Sequence, residues 1–483
     1  MKKLLLSILA FGGFVANAQL TCATALPLTA GSTTTCPQIT GTYIGTCAPN
    51  GAVANPNAIW YSYTATANGE LTITSDLPQN DPATIDTRLS ILTGTCTTLA
   101  CYAGSDDVDA ANYLTTLTIP VTAGTLYYIY WDDRWGDASF DFDVTFEAVP
   151  CIRLNATNVN DPSNLTVNSA TLSWAASLSN PNSYDVEYGA FGFTAGAGTT
   201  AVANGTSLAL TGLTPTSGDL DYYVRANCGA DQSAWIGPFS LYLAATCPYT
   251  NNFDDTTDYA DGFSGAWGLG NAAGGAQSGA IYYFSNSSTT AATNSTLYSR
   301  AIALQANEQV TLTYYTRLGS ATATAQSLRV FVNTTKSLTG ATQLGGNISV
   351  SGTAYALQTA TFTATTAGTY YFAFNNNSPI VATATSLRLD TVNLTSVLSN
   401  NDFVDASFTV SPNPAVDVIS IQSTDNTSFN AVQMYDLNGR IVKNIEYTSA
   451  TEGTINVSDL APGLYTVNVV SENGTAVRKV IKQ

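Results

Sequence analysis

Val432-Gln433-Met434-Tyr435-Asp436-Leu437-Asn438-Gly439-Arg440-Ile441-Val442 consists of two alternating apolar and polar runs around an Asn-Gly pair. A period of two puts one set of side chains on a buried face, and Asn-Gly suits the type I′ turn, which needs positive φ at both central positions. The segment therefore predicts an antiparallel hairpin. The same pattern recurs through the chain: Ile59-Trp60-Tyr61-Ser62-Tyr63, Gly69-Glu70-Leu71-Thr72-Ile73, Leu126-Tyr127-Tyr128-Ile129-Tyr130, Phe140-Asp141-Phe142-Asp143-Val144 and Ala170-Thr171-Leu172-Ser173-Trp174 all alternate, with Gly or Asn between runs. The predicted fold class is all-β, as several β-sandwich or jelly-roll domains in tandem.

Composition supports this. Of 483 residues, 45% are apolar, enough for several cores, but only 10% are charged. The polar surface must come from Thr, Ser, Asn and Gly, residues that favour strands and turns over helices. The net charge of −18 makes nucleic acid and anionic membranes poor partners. There is no His, which excludes the Ser-His-Asp triad, the Cys-His pair and His-ligated zinc. The remaining catalytic route is a carboxylate pair, and nothing marks one: Glu is rare, and no phosphate-binding Gly loop or G-x-S-x-G is present. The expectation is that the protein is not an enzyme.

Residues 1–18 read as a secretory signal. Lys2 and Lys3 precede an apolar stretch too short to span a bilayer, and Ala16-Asn17-Ala18 fits small-x-small cleavage between Ala18 and Gln19. No later segment has 18 uninterrupted apolar residues, so no transmembrane segment is expected in the mature chain. In an exported chain the eight cysteines are disulfide candidates. Cys96 and Cys101 flank four residues and suit a small closed loop; Cys151 and Cys228 bracket one module.

The hairpin quoted first is the middle of three blocks. Before it stands Val410-Ser411-Pro412-Asn413-Pro414-Ala415-Val416-Asp417, and after it Ile455-Asn456-Val457-Ser458-Asp459-Leu460-Ala461-Pro462-Gly463-Leu464-Tyr465. Residues 408–483 thereby resemble the type A C-terminal sorting domain of the type IX secretion system. Pro412, Asn413, Pro414, Gly439, Gly463 and Tyr465 carry the motif. The resemblance implies a small sandwich, the type IX machinery as partner, and secretion or display outside the outer membrane.

Three modules precede it. Residues 150–244 resemble a fibronectin type III domain, with Trp174 in its second strand and Tyr222-Tyr223-Val224-Arg225-Ala226 in its sixth. Residues 19–149 resemble the bacterial pre-peptidase C-terminal jelly roll through Asp86-Thr87-Arg88-Leu89, Cys96 and Asp106-Asp107. Residues 245–397, opened by Asn252-Phe253-Asp254-Asp255 and closed by Leu387-Arg388-Leu389-Asp390, resemble the cleaved-adhesin and MAM-like jelly rolls. A polar linker is expected over 398–407.

Two kinds of site are expected. Asp106, Asp107 and Asp109 share one loop, and Asp132, Asp133 and Asp137 another; such clusters suit structural Ca²⁺, which takes six to eight oxygens. Asp254 and Asp390, on the first and last strands of their module, form a further calcium candidate through the resemblance. Trp131 and Trp135, in Trp131-Asp132-Asp133-Arg134-Trp135, and Trp267 are candidate platforms for a sugar ring. The expected function is non-catalytic adhesion or glycan binding at the cell surface, with glycans or surface proteins as partners. The alternatives are an accessory chain of an extracellular hydrolase or a weak carboxylate hydrolase.

Overall fold

A computed structural model describes residues 19–45, 47, 57–109, 111–214, 219–321, 323–398, 407–471 and 474–483. The signal segment, Ala18 included, lies outside them, as does most of the expected linker. Among the described residues the regular structure is strand, with two three-residue 3₁₀ turns and no α-helix. The strands form eight sheets, which pair into four sandwiches in chain order.

The first sandwich has a sheet in which Leu26–Pro27, Asn57–Thr64, Leu126–Asp132, Arg88–Thr93 and Ala100–Ser105 lie side by side. Opposite it lie Ser32–Cys36, Phe140–Glu147, Gly69–Thr74 and Thr116–Val121. Gly69–Thr74 alternates between buried and half-buried residues, as the period of two requires. Asn57–Thr64 departs from this, being buried almost throughout. Its outer face is covered by the segment that precedes it: Trp60 and Tyr130 pack there with Tyr43 and Leu99 in a second small core, and Trp60 donates its backbone N–H to Gln19 O and its indole N–H to Thr42 O.

A disulfide fixes that cover. Cys22 bonds Cys96, with Cα atoms 5.7 Å apart, and this corrects the expected Cys96–Cys101 loop. Cys101 is instead a free thiol beside Cys47, and partial desolvation together with that neighbour raises its pKa. Cys151 bonds Cys228, so the start of the second sandwich is tied to the end of strand Asp219–Asn227. In that sandwich Val159–Ser163, Ala170–Trp174 and Ser207–Leu210 face Thr199–Ala203, Ser183–Ala190, Asp219–Asn227 and Ile236–Tyr242, with Trp174 and Tyr222 in the core.

The third sandwich is the largest. Its long strands Glu308–Leu318 and Ser386–Leu398 are neighbours in one sheet, and Gln326–Asn333 and Gly368–Asn376 are neighbours in the other. Trp267 is 5% exposed in its core beside Phe253 and Phe263. In the fourth sandwich, Phe408–Ser411, Val418–Ser423 and Glu452–Asn456 face Ile441–Ala450, Phe429–Tyr435, Gly463–Ser471 and Gly474–Lys482.

The Asn438-Gly439 hairpin forms with a different turn. Only Gly439 has positive φ (77°), Gly439 N donates to Asp436 O, and the register shifts between Met434 and Tyr435. This is a type I turn closed by a left-handed glycine, not type I′. Asp436 decides it: its carboxylate accepts the N–H groups of Asn438 and Arg440, which holds Asn438 on the negative-φ side.

Candidate functional site

The tail motif has a clear physical purpose. Pro412 and Pro414 have no backbone N–H, so the segment cannot pair continuously with the last strand. The Asn413 side chain supplies the pairing, donating to Lys479 O (2.9 Å) and accepting from Ile481 N (2.9 Å). Ala415 N then donates to Ile481 O at 2.7 Å, and Gln483 N to Ala415 O at 2.9 Å. Gly463 opens the neighbouring strand, where the Tyr465 hydroxyl donates to Ala461 O at 2.9 Å. The motif thus pins the extreme C-terminus into the sheet.

The first sandwich contains the candidate binding site. Leu126–Asp132, Arg88–Thr93 and Ala100–Ser105 are adjacent and antiparallel, so residues 132–135, 86–88 and 105–107 meet at one end of the sheet. Arg88 is the register partner of Asp132. Arg88 Nε lies 3.0 and 3.1 Å from the two Asp132 oxygens and Nη2 lies 2.9 Å from Oδ1, with both side chains fully buried. Burial raises the Asp132 carboxyl, while Arg88 and the Arg134 N–H pull it back.

Above this pair, Asp86, Asp106 and Asp107 bring carboxylate oxygens within 4.8 Å of one another. Asp86 is pushed up to about 6 by burial and by the charges of Asp107 and Asp106; burial and Asp106 raise Asp107. The Thr115 hydroxyl fixes the backbone beneath, reaching Thr87 O at 2.5 Å and Asp106 O at 2.6 Å. A hard divalent cation suits this donor set: the oxygens converge, and Asp86 Oδ1 is buried with no hydrogen-bond partner among the described residues. Asp86, Asp106 and Asp107 would hold it.

Trp135 adjoins the cluster. Its indole N–H donates to Asp106 Oδ2 at 3.2 Å, Arg134 lies 4.6 Å from its ring centroid, and it is 48% exposed. Of the three tryptophans expected to bind sugars, this is the one the structure presents to solvent. Trp131 is fully buried against Phe140 and Phe142, and Trp267 lies in the third core, so neither offers a face to a ligand. Alternation separates the two neighbours: Trp131 is still in the strand and points inward, whereas Trp135 lies beyond the strand end.

The carboxylates divide likewise. Asp106 and Asp107 belong to the cluster, joined by Asp86, which the sequence reading did not select as a ligand. Asp132 is committed to Arg88, and Asp133 accepts Asn57 N and Nδ2, both at 2.7 Å, so neither joins the cluster. Asp109 caps its own turn through Ala111 N and Asn112 N, and Asp137 accepts Gln38 Nε2. Asp254 and Asp390 meet at one loop, but its amides hold them: Asp390 accepts Gln277 N (2.6 Å) and Thr391 N (2.7 Å), and Asp254 accepts Ala280 N (2.9 Å). Burial pushes Asp390 up to about 6 despite these bonds.

Comparison with known proteins identifies the tail. Residues 409–483 match the secretion system C-terminal sorting domain family. The chain is therefore exported by the type IX route, to the cell surface or beyond. Among the described residues no helix is long and apolar enough to cross a membrane. No curated protein matches the chain. Similar solved structures include the K1 cleaved adhesin domain of Lys-gingipain from Porphyromonas gingivalis W83, at 16% identity over 30% of this chain and 96% of that one, with a TM-score of 0.25. Another is the CBM22-1 xylan-binding domain from Paenibacillus barcinonensis Xyn10C, at 13% identity over 32% of this chain and 99% of that one, with a TM-score of 0.24.

Proposed function

We propose that this exported chain is a non-catalytic glycan-binding adhesin whose first sandwich grips sugar with the help of a divalent cation, Ca²⁺ by its ligand chemistry. The observation that carries this reading is the exposed Trp135 indole, hydrogen-bonded to Asp106 of a three-carboxylate cluster. The Arg134 guanidinium lies over one face of the indole, so the C–H face of a pyranose would stack on the other. A bound Ca²⁺ would take sugar hydroxyls as further oxygen ligands. The second sandwich, which resembles a fibronectin type III domain, serves as a spacer, and the fourth as the export tag.

The test is a glycan array and calorimetric titration of the mature chain in calcium and in EGTA. Calcium-dependent binding should fall about tenfold in Trp135→Ala, the scale of one lost aromatic contact, and disappear in Asp106→Asn. Binding that ignores both substitutions would refute this site.

A further inference from the structure

The second and third sandwiches are locked together. Arg300, 4% exposed, reaches Asp219 of the second at 2.7 Å and also bonds Asp261 of the third. Its Nε donates to Leu243 O at 2.9 Å. The Thr369 hydroxyl of the third donates to Leu165 O of the second at 2.6 Å, and Ala245, the first residue past the second sandwich, is held in the third by bonds to Ala301 O and from Ala303 N. Beside this junction run two adjoining cavities of about 360 and 710 Å³, which share Asp161, Pro162, Leu165, Lys336 and Tyr371. They form one cleft with a wall from each sandwich.

We propose that this cleft is a second carbohydrate site, an open groove for an extended neutral oligosaccharide. It shares the ligand class of the function proposed above but none of its residues and no cation. Phe239 and Tyr371, both half-buried, offer ring surface from opposite walls. Asp161 from the second sandwich supplies a carboxylate acceptor. Lys336 from the third supplies an ammonium, 2.8 Å from the Ser264 hydroxyl and 5.9 Å from the Tyr371 ring centroid. Rings flanked by a few donors and acceptors suit a polyhydroxylated chain, and the volumes lie in the range of ligand sites.

Charge and backbone argue against other occupants. Among the described residues Lys336 is the one Lys or Arg lining either cavity, in a chain of net charge −18, so a polyanion is disfavoured. A peptide added as a strand needs an unbroken row of backbone groups. The strand along the cleft, Val159–Ser163, contains Pro162 and shifts register between Asn160 and Ser163. Recognition must come from side chains.

The experiment uses the mature chain carrying Trp135→Ala, in EGTA, which silences the first site. It is titrated with neutral β- and α-linked hexasaccharides by calorimetry. Binding should persist there, fall at least tenfold in Tyr371→Ala, fall in Lys336→Ala, and survive in Tyr371→Phe. Lys336 is exposed and packs into no core, so its variant folds even if Tyr371→Ala does not. Absence of binding at millimolar sugar, or binding indifferent to Lys336→Ala and Tyr371→Ala, overturns the proposal and leaves the Trp135 site untouched. Absence of calcium-dependent binding in the unsubstituted mature chain refutes that site and leaves the cleft standing.

Discussion

Replacing Arg88 with Ala should unfold the first sandwich at much lower denaturant and disorder the Trp135 site with it. The native pair is fully buried, with three N···O distances of 2.9–3.1 Å. Removing the guanidinium leaves a carboxylate in the interior with one remaining donor among the described residues, the Arg134 N–H. Breaking a buried pair from one side costs about 3–5 kcal/mol. At a urea slope of about 2 kcal/mol/M, the midpoint of this sandwich should fall by roughly 2 M. Hydrogen exchange read by mass spectrometry isolates its strands from the other three cores.

The pH dependence supplies the sign. Burial already raises the Asp132 carboxyl, and without Arg88 it rises further. A carboxyl whose folded pKa exceeds its unfolded one penalises the folded state while ionised. The penalty is full above the folded pKa and disappears as pH falls to the unfolded value. Arg88→Ala should therefore approach the wild type as acid is added, by up to about 1.4 kcal/mol per pH unit. Arg88→Met combined with Asp132→Leu, which removes both charges, should recover most of the loss. A single-variant cost below about 0.5 kcal/mol, the scale of an ordinary surface substitution, or a loss that deepens in acid, would refute the reasoning.

Calcium at one hundred times its dissociation constant should stabilise the first sandwich by about 2.7 kcal/mol, reversed by EGTA and absent in Asp106→Asn, as read by exchange protection of residues 86–107. Arg300→Ala should cost about 2 kcal/mol at the junction of the second and third sandwiches, since Asp219 and Asp261 retain some solvent; faster exchange at Ala245 and Ala303 and a larger radius of gyration in X-ray scattering would register it. Alkylation of the denatured chain should add four groups without reductant and eight with it, because Cys22–Cys96 and Cys151–Cys228 are the bonded pairs; any other pair of counts contradicts the assignment. Deleting 409–483 should leave the protein inside the outer membrane, as cell fractionation would show.

Much of the strand pattern was legible because period-two alternation is a local signal. Ala170–Trp174 and Leu126–Asp132 start where the runs do, and Trp174 is in the core as its place in the run implied. The sorting tail was legible because turn residues and prolines act through their own backbone: Pro412 and Pro414 remove donors wherever they stand. Alternation says which residues share a face and nothing about what covers that face. Trp60 and Trp131 sit in one strand pair on opposite faces: Trp131 is buried between the two sheets, and Trp60 is buried on the outer face because Cys22, Ala25 and Tyr43 pack over it.

The functional site depended on sheet order. Asp86 became the third member of the acidic cluster because Arg88–Thr93 lies between Leu126–Asp132 and Ala100–Ser105, an arrangement that chain order does not reveal. Asp132 left the candidate set because the same register placed Arg88 opposite it. Cys22 reached Cys96 across 74 residues, a pairing that only the closed fold brings together. The sequence alone determined the strands, the export tag and the exclusion of imidazole chemistry, since each depends on residue type and near neighbours. Tertiary structure decided which carboxylates converge and which indole faces solvent, since those depend on contacts between strands far apart in the chain.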